Sequence, residues 1–315
     1  MIKHFILLLL ATAYGLTNPI ELKLQAQSTQ AVKPKIAFTF DDGSINDFGE
    51  YKLENWNQRL LDQLKKNKLK AILFSAGANK SGPKGKYVLA SWNKAGHLIA
   101  NHTFSHVNFN SKQVSLDDFK LELLKNDRLI KEYANYAPYF RFPYLKEGDT
   151  KEKVEGFRAF MKQKGYRNGY VTIDASDWYI NTRLTERLKE NPHADLSGYR
   201  SYYKNHLLNR ALYYDSLAYQ LTKRRINHVL LLHHNLAVSL FLNDLISHFK
   251  ANGWEVIDAD QAYTDKIYTA MPTPIPAGES LIWALAKESG QFESVLRYPA
   301  EDGEYEKPLM DKLGL

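Results

Sequence analysis

The segment Lys35–Gly43 reads KIAFTFDDG and places two adjacent carboxylates directly after an apolar run. The apolar and aromatic residues up to Phe40 predict a buried strand. Asp41 and Asp42 would lie where this strand ends, and burying them unpaired is costly because like charges repel and lose hydration. We therefore expect a cation or a metal beside them. The alternative is a solvated turn in which the Asp-Gly pair only supplies the bend.

Further β-like runs follow this strand and alternate with helical patterns. One helix is indicated by Trp56, Leu60 and Leu64, which would share a helix face. The later strand candidates are Lys70–Ser75, His97–Asn101, Tyr139–Phe142, Gly169–Asp174, His228–His233 and Trp254–Asp258. Strands that alternate with helices predict a parallel sheet. We therefore predict an α/β fold, a distorted (β/α)7 barrel similar to a TIM barrel, as a single catalytic domain over residues 35–268.

Two segments do not fit the alternation of strands and helices. Residues 181–222 are Tyr-rich and helical in pattern, and residues 269–315 follow the last predicted strand and include a helix candidate over Glu279–Glu288. Neither segment has enough apolar residues for a core of its own, so we expect both to pack on the barrel. A further helix is predicted to begin near Ser115, where Ser115 and Asp118 have the spacing of a capping box.

Composition and the amino terminus bear on partners and location. The net charge of +7 comes without an Arg-rich stripe, which argues against nucleic acid as a partner, and the chain has 0 Cys, which excludes disulfides and Cys-ligated zinc. Lys3 and His4 precede the apolar run Phe5–Ala11, a pattern typical of a signal peptide and too short to span a bilayer. We expect a signal peptide over residues 1–26, a linker over residues 27–34, and a secreted or periplasmic monomer whose mature chain does not span a membrane. An uncleaved envelope anchor is the alternative.

A second polar cluster, HTFSH at His102–His106, follows the strand predicted to end at Asn101. Two histidines four residues apart would lie on one side of a helical turn, a spacing that lets both bind one metal. An isolated pair of this kind is more often structural. Together with Asp42, however, the pair would offer two nitrogens and one carboxylate oxygen, a ligand set known from catalytic zinc sites.

Polar residues also follow the later predicted strands, at Arg141–Tyr144, Asp174–Trp178 and His233–His234. In α/β barrels the carboxyl ends of the strands carry the active site, so these clusters are expected to converge. Each has a structural alternative: Arg141 in a salt bridge, Asp177 as a helix cap, or His233 as a core histidine. Their shared position at strand ends favours a common site.

In this order the motifs resemble those of the polysaccharide deacetylase family, the NodB homology domain of carbohydrate esterase family four, over roughly Lys35–Asp260. The resemblance implies removal of N-acetyl groups from an amino-sugar polymer or oligosaccharide such as peptidoglycan, a chitin-like chain or poly-N-acetylglucosamine. An O-acetyl esterase of the acetylxylan type is an alternative, and a non-catalytic carbohydrate-binding envelope protein is another. The implied cofactor is a divalent metal, Zn²⁺ first, with Co²⁺, Ni²⁺ or Mn²⁺ as alternatives.

The resemblance also implies a role for each site residue. Asp41 would be the catalytic base, and the metal ligands would be Asp42, His102 and His106. His233 would be the general acid, with Asp177 as its partner, and Arg141 would pair with Asp41. Tyr144 would bind the oxyanion through its backbone N–H. Trp178 and Leu231 would form an apolar wall.

Two features depart from the family pattern or leave its details open. His234 follows His233 where the family often has Asp, so either histidine is a candidate; strand alternation and the alignment of the motif favour His233. Residues 44–55 form a long connection that is either a rim loop of the cleft or surface decoration.

Overall fold

The computed structural model describes residues 32–315, so the predicted signal peptide and most of the predicted linker lie outside the described residues. The core of the described chain is a seven-stranded parallel sheet in the order β6-β4-β3-β2-β1-β7, with β8 also paired to β1. Its strands are β1 (Lys35–Asp42), β2 (Ile72–Ser75), β3 (Leu98–Asn101), β4 (Tyr136–Phe140), β6 (Arg167–Asn168), β7 (Asn227–His233) and β8 (Glu255–Val256). A small antiparallel pair joins β5 (Lys146–Gly148) to β9 (Ala277–Gly278).

The parallel sheet curls back toward its own edge. β1 pairs with β7 along one side and with β2 and β8 along the other. The open side lies between β6 and β7. There a single parallel β-bridge joins Ile173, which follows β6 in the chain, to Leu230 of β7. The result is a curled, mostly parallel sheet surrounded by helices, which confirms the predicted α/β fold class. The barrel is distorted because a single bridge spans its open side.

The strand predicted over Gly169–Asp174 is the main error in the list of elements. Within Gly169–Asp174 only Ile173 forms a β-bridge. The residues that pair with β4 lie earlier in the chain, at Arg167–Asn168. The physical reason lies in a side chain, because Nε of Arg141 donates to the carbonyl of Gly169 at 2.8 Å. The Gly169 carbonyl therefore accepts a hydrogen bond from a guanidinium and not from the backbone of a neighbouring strand.

Helices cover the sheet, and most begin with a recognisable local signal. They are α1 (Leu53–Lys66), α2 (Pro83–Lys94), α3 (Leu116–Ile130), α4 (Lys151–Gln163), α5 (Asp177–Glu190), α6 (Ser197–Thr222), α7 (Leu236–Ala251), α8 (Ala259–Ala262), α9 (Leu281–Ser289) and α10 (Gly303–Lys312). The capping box at Ser115 and Asp118 is present, and the predicted apolar face of α1 is buried. Within residues 32–315 we find no helix with the length and apolar character that a bilayer crossing requires.

The carboxyl-terminal residues pack against α6 through both apolar and charged side chains. Leu281, Ile282 and Met310 are fully buried in the main core. Glu301, whose side chain is 1% exposed, accepts hydrogen bonds from Arg210 of α6 and, at 2.9 Å, from the Tyr214 hydroxyl. A buried carboxylate is stable only with such partners, so the segment after α9 has a defined place on the sheet domain.

Candidate metal centre and active site

The register of the sheet aligns the carboxyl ends of the strands that carry the polar motifs. Asp41 is paired with His233 across β1 and β7, and Asp42 is paired with Ser75 across β1 and β2. The row continues from Ser75 to Asn101 on β3. His102 follows Asn101 directly, so residues far apart in the sequence meet at one edge of the sheet.

Three of these side chains form a candidate metal centre. The ligand atoms of Asp42, His102 and His106 all lie within 4.8 Å of one another. Nε2 of His106 is 3.2 Å and Nε2 of His102 is 3.5 Å from Oδ1 of Asp42. Within the described chain this oxygen is buried and has no hydrogen-bond donor. Since a buried carboxylate oxygen needs a partner, the donor set fits a divalent cation.

Protonation and tautomer also suit the metal centre. Nδ1 of His102 is 2.8 Å from the Arg141 carbonyl, so Nδ1 carries the proton and Nε2 keeps a free lone pair. Burial lowers the pKa of His102 to about 4, which leaves the ring neutral. Burial acts against ionisation of Asp42, but the imidazoles of His106, His233 and His102 hold the pKa of Asp42 well below its usual value.

The helical turn predicted for His102–His106 is wrong. This segment is a loop in which Thr103 and His106 have φ values of 62° and 55°. Thr103 N–H donates to Oδ1 of Asn101 and His106 N–H to Oγ1 of Thr103, so local hydrogen bonds offset the strained backbone. The two rings lie 4.9 Å apart, centroid to centroid.

Asp41 is 2% exposed and is held by a fully buried guanidinium. Nη1 of Arg141 donates to Oδ1 of Asp41 at 2.5 Å and to Oγ1 of Thr39 at 2.8 Å. Nη2 donates to the Tyr263 hydroxyl at 3.0 Å, and the guanidinium lies 3.8 Å above the Phe74 ring. Asp41 thus differs from its neighbour Asp42, since the guanidinium of Arg141, the residue after β4, already compensates its charge.

His233 and His234 have different surroundings. Nδ1 of His233 is 2.6 Å from Oδ1 of Asp177, which also accepts from His233 N–H through Oδ2. Burial alone would lower the pKa of His233, but the Asp177 carboxylate raises it to about 10. His234 is buried beside the rings of Trp56 and Trp92 and contacts Oδ1 of Asn57 at 2.9 Å. Only His233 lines the cavity described next.

A cavity of about 520 Å³ opens beside the candidate metal centre. Among the predicted site residues it is lined by Asp41, Asp42, His102, His106, Tyr144, Trp178, Leu231 and His233. Trp178 is 43% exposed and Tyr144 is 57% exposed, so both offer aromatic surface to a ligand. Arg141 and Asp177 stay behind this surface, each bonded to a residue that lines it.

The far side of the cavity carries acidic residues to which sequence reasoning gave no role. Asp174, Glu279, Glu301 and Asp302 line it together with Lys146, which forms an ion pair with Glu279. Burial raises the pKa of Asp174 to about 6, and the Glu279 carboxylate adds to the shift. Of these acidic residues, only Asp174 was indicated by the sequence, as part of the DASDW motif. The others come from the carboxyl-terminal segment, whose position no local pattern indicates.

The curled parallel sheet and its donor set define an α/β protein with a candidate divalent-metal centre at the strand ends. The polysaccharide deacetylase family profile matches residues 28–168, which confirms the resemblance drawn from the motifs over that part of the chain. Asp177 and His233 lie outside the matched residues.

Two relatives each match a little under half of the chain. A peptidoglycan-N-acetylglucosamine deacetylase of Bacillus cereus is 29% identical over 147 residues, which is 46% of this chain and 47% of the relative. A chitin deacetylase of Arthroderma benhamiae is 29% identical over 151 residues, which is 47% of this chain and 36% of the relative. The chain thus matches less than half the length of either relative.

Solved structures share the fold at lower identity. A CE4 family pseudoenzyme from Bacillus anthracis is 20% identical with a TM-score of 0.50, covering 73% of this chain and 66% of that one. A peptidoglycan N-acetylglucosamine deacetylase is also 20% identical with a TM-score of 0.50, covering 73% of this chain and 88% of that one. A pseudoenzyme and a deacetylase thus share this fold, so the side chains of the site must carry any argument about activity.

Proposed function

We propose that this protein is a metal-dependent deacetylase that removes N-acetyl groups from an amino-sugar polymer or oligosaccharide. The observation that carries the proposal is the placement of three metal-binding side chains beside two further ionisable pairs. Asp42, His102 and His106 converge, while the Asp41–Arg141 pair and the His233–Asp177 pair adjoin them around one cavity.

Asp41 is the base in this proposal. When bound, a divalent cation supplies Lewis-acid polarisation of the acetyl carbonyl. Arg141 holds Oδ1 of Asp41, and Oδ2 lies 3.8 Å from Nε2 of His102, on the side of the metal ligands. Oδ2 is therefore the atom that accepts a proton from the attacking water, because the guanidinium keeps the other oxygen occupied.

His233 is the acid in this proposal. An amine is a poor leaving group, so breaking an amide bond requires a proton donor on the nitrogen. Asp177 binds Nδ1 and favours the charged imidazole, which leaves Nε2 to deliver its proton. Trp178 and Leu231 provide apolar surface for the acetyl methyl group, and the backbone N–H of Tyr144 is proposed as the oxyanion donor.

Zinc is the metal we propose first, since two imidazoles and one carboxylate are typical of catalytic zinc sites, with Co²⁺, Ni²⁺ or Mn²⁺ as alternatives. The charged start and apolar run at the amino terminus support a secreted or periplasmic enzyme. O-deacetylation remains the second candidate, because the same groups would also cleave an ester.

Acetate release from a panel of substrates tests the proposal. Zinc-loaded protein is incubated with N-acetylglucosamine oligomers, peptidoglycan and acetylxylan, and acetate is quantified over time. We expect acetate from the N-acetylated substrates, and at least a roughly 10²-fold lower rate with Asp41→Asn, because that variant lacks the base. Acetate from acetylxylan alone would instead identify an ester hydrolase.

The control separates catalysis from binding. Asp62→Asn alters an exposed residue of α1 remote from the strand ends and should leave the rate unchanged. If no substrate yields acetate while glycans bind equally well to wild type and Asp41→Asn, the protein is a carbohydrate-binding protein and the enzymatic proposal fails.

A further inference from the structure

A second cavity of about 320 Å³ shares Asp42 and His106 with the first. The rest of its lining comes from other loops. Its other polar residues are Ser44, Asn46, Asn79, Lys80 and Ser105, and Gly43 lies beside Lys80. The candidate metal centre is thus flanked by two cavities, and the second has the volume of a small-ligand site.

Lys80 is the unusual member of this lining. The residue is 4% exposed, and among residues 32–315 no side-chain hydrogen bond or ion pair involves its ammonium group, although Nζ itself is not fully buried. It lies between the end of β2 and the start of α2, and it packs over Gly43: a Cβ atom at position 43 would be 2.9 Å from Cε and 3.5 Å from Nζ. Buried lysines are usually paired, because removing an ammonium from water is costly.

The charges around Lys80 favour an anionic ligand. Among the described residues, Asp42 is the only carboxylate in the lining of the second cavity; the other polar side chains there are Lys80, the His106 imidazole, hydroxyls and amides. A divalent cation on Asp42 would use that charge and leave the ammonium uncompensated. The first cavity is the opposite case, since Asp174, Glu279 and Asp302 line it with Lys146 as its only lysine or arginine.

We propose that the second cavity binds a carboxylate-bearing sugar next to the acetylated sugar, with Lys80 as the recognition residue. This inference rests on the proposed function and narrows its substrate class to acidic amino-sugar glycans. The carboxylate has two plausible sources, a uronic acid and a lactyl ether. Both offer the same charged oxygens to Nζ, and neutral chitin-like chains offer neither.

The test compares oligosaccharides of equal length that differ in charge. The probes are the neutral N-acetylglucosamine tetramer, a tetramer alternating with glucuronic acid, and a tetramer alternating with N-acetylmuramic acid. For wild type, kcat/KM should be higher on at least one carboxylated probe, and this preference should shrink with added salt. In Lys80→Met the ratio of carboxylated to neutral kcat/KM should fall roughly tenfold or more, as expected for a lost charge-assisted hydrogen bond.

Two further variants control the comparison. Lys80→Arg keeps the charge and should retain most of the preference. Lys84→Met removes a nearby lysine whose side chain is 44% exposed and pairs with Asp47 at 3.1 Å, and it should leave the ratio unchanged. A ratio that Lys80→Met does not alter, in protein whose melting curve matches wild type, overturns the inference.

A binding measurement separates this inference from the proposed function. Calorimetry with zinc-loaded Asp41→Asn protein gives Kd for each probe without turnover. Weaker binding of a carboxylated probe on adding Lys80→Met supports the subsite even if no probe releases acetate. Equal Kd values with and without Lys80→Met reject the subsite while acetate release from the neutral tetramer still supports the deacetylase.

Discussion

The metal wall of the site, formed by Asp41–Gly43 and His102–His106, and the distal wall, formed by Asp174–Trp178, His233 and residues 279–302, are held by different contacts. In the metal wall, local hydrogen bonds shape the ligand loop, and neighbouring strands of the sheet anchor it, as where His102 N–H donates to the Ser75 carbonyl at 3.2 Å. Asn101, Thr103 and His106 bond to one another within six residues, and the Arg141 carbonyl fixes His102. The ligand geometry therefore depends on short motifs at strand ends and on the register of the sheet that aligns them.

The distal wall depends on contacts between segments far apart in the chain. His206 of α6 places Nε2 2.7 Å from the Ala175 carbonyl and Nδ1 3.1 Å from Glu306. Arg210, one helical turn later, pairs with Glu301. The position of the acidic residues thus depends on polar and charged side chains of α6, which implies that the two walls can be disrupted separately.

The largest effect is expected for His102→Ala, which removes a ligand from the metal wall. Loss of one of three protein ligands should reduce bound zinc from about one ion per chain to less than about a tenth after dialysis. Metal analysis of purified protein measures this. His193→Ala, at an exposed histidine, is the matched control. Unchanged metal content in His102→Ala would place the ion elsewhere.

Asp177→Asn should affect chemistry in the distal wall without releasing the metal. An amide cannot favour the charged form of His233, so we expect kcat to fall roughly 10³-fold, within the range for impaired acid–base catalysis. Zinc content should stay at the wild-type level. Loss of zinc together with activity would show that the two walls are not independent.

Arg210→Met should destabilise the distal wall through Glu301. Removing Arg210 leaves Glu301 with Arg297, at 3.2 Å, as its remaining cation, so we expect the low end of the cost of breaking a buried pair, about 3 kcal/mol of unfolding free energy. Urea denaturation measures the change. Arg200→Met, on the same helix, removes an exposed pair with Asp244 at 3.7 Å and should cost less than about 1 kcal/mol. Equal losses in both variants would contradict the buried role of Glu301.

A smaller, pH-dependent effect is expected from His97, just before β3 on the metal-wall side. Its Nδ1 accepts from Ala71 N–H, and burial lowers the pKa of His97 to about 4. The unfolded state therefore binds more protons between about pH 6.5 and pH 4, so this contribution is intact above pH 6.5 and is lost as the pH falls. The loss should reach about 2 kcal/mol at pH 5.

Comparison with His97→Gln tests this pH dependence. Glutamine can accept the Ala71 hydrogen bond but does not titrate, so the variant should lose less unfolding free energy than wild type between pH 7 and pH 5. Urea denaturation at both pH values gives the difference. If wild type and His97→Gln lose the same unfolding free energy between pH 7 and pH 5, His97 does not contribute to acid sensitivity.

Much of the fold was predictable because its signals are local. The strand before Asp41, the apolar face of α1 and the capping box at Ser115 each depend on residues within one or two turns or a single strand. The strand predicted at Gly169–Asp174 failed because Arg141, from a different strand, uses the Gly169 carbonyl. The helical turn predicted at His102–His106 failed because spacing alone does not distinguish a helix from a strained loop.

By itself the sequence determined the α/β class and the motifs that supply the candidate ligands, because apolar periodicity and motif order are written along the chain. Only the tertiary structure decided which of His233 and His234 lines the cavity, and that residues 279–302 form its far side. It also decided that Lys80 is buried without a partner in the described chain. These features depend on burial and on charges brought together from distant segments. Both arise only when the chain folds, so no local sequence pattern records them.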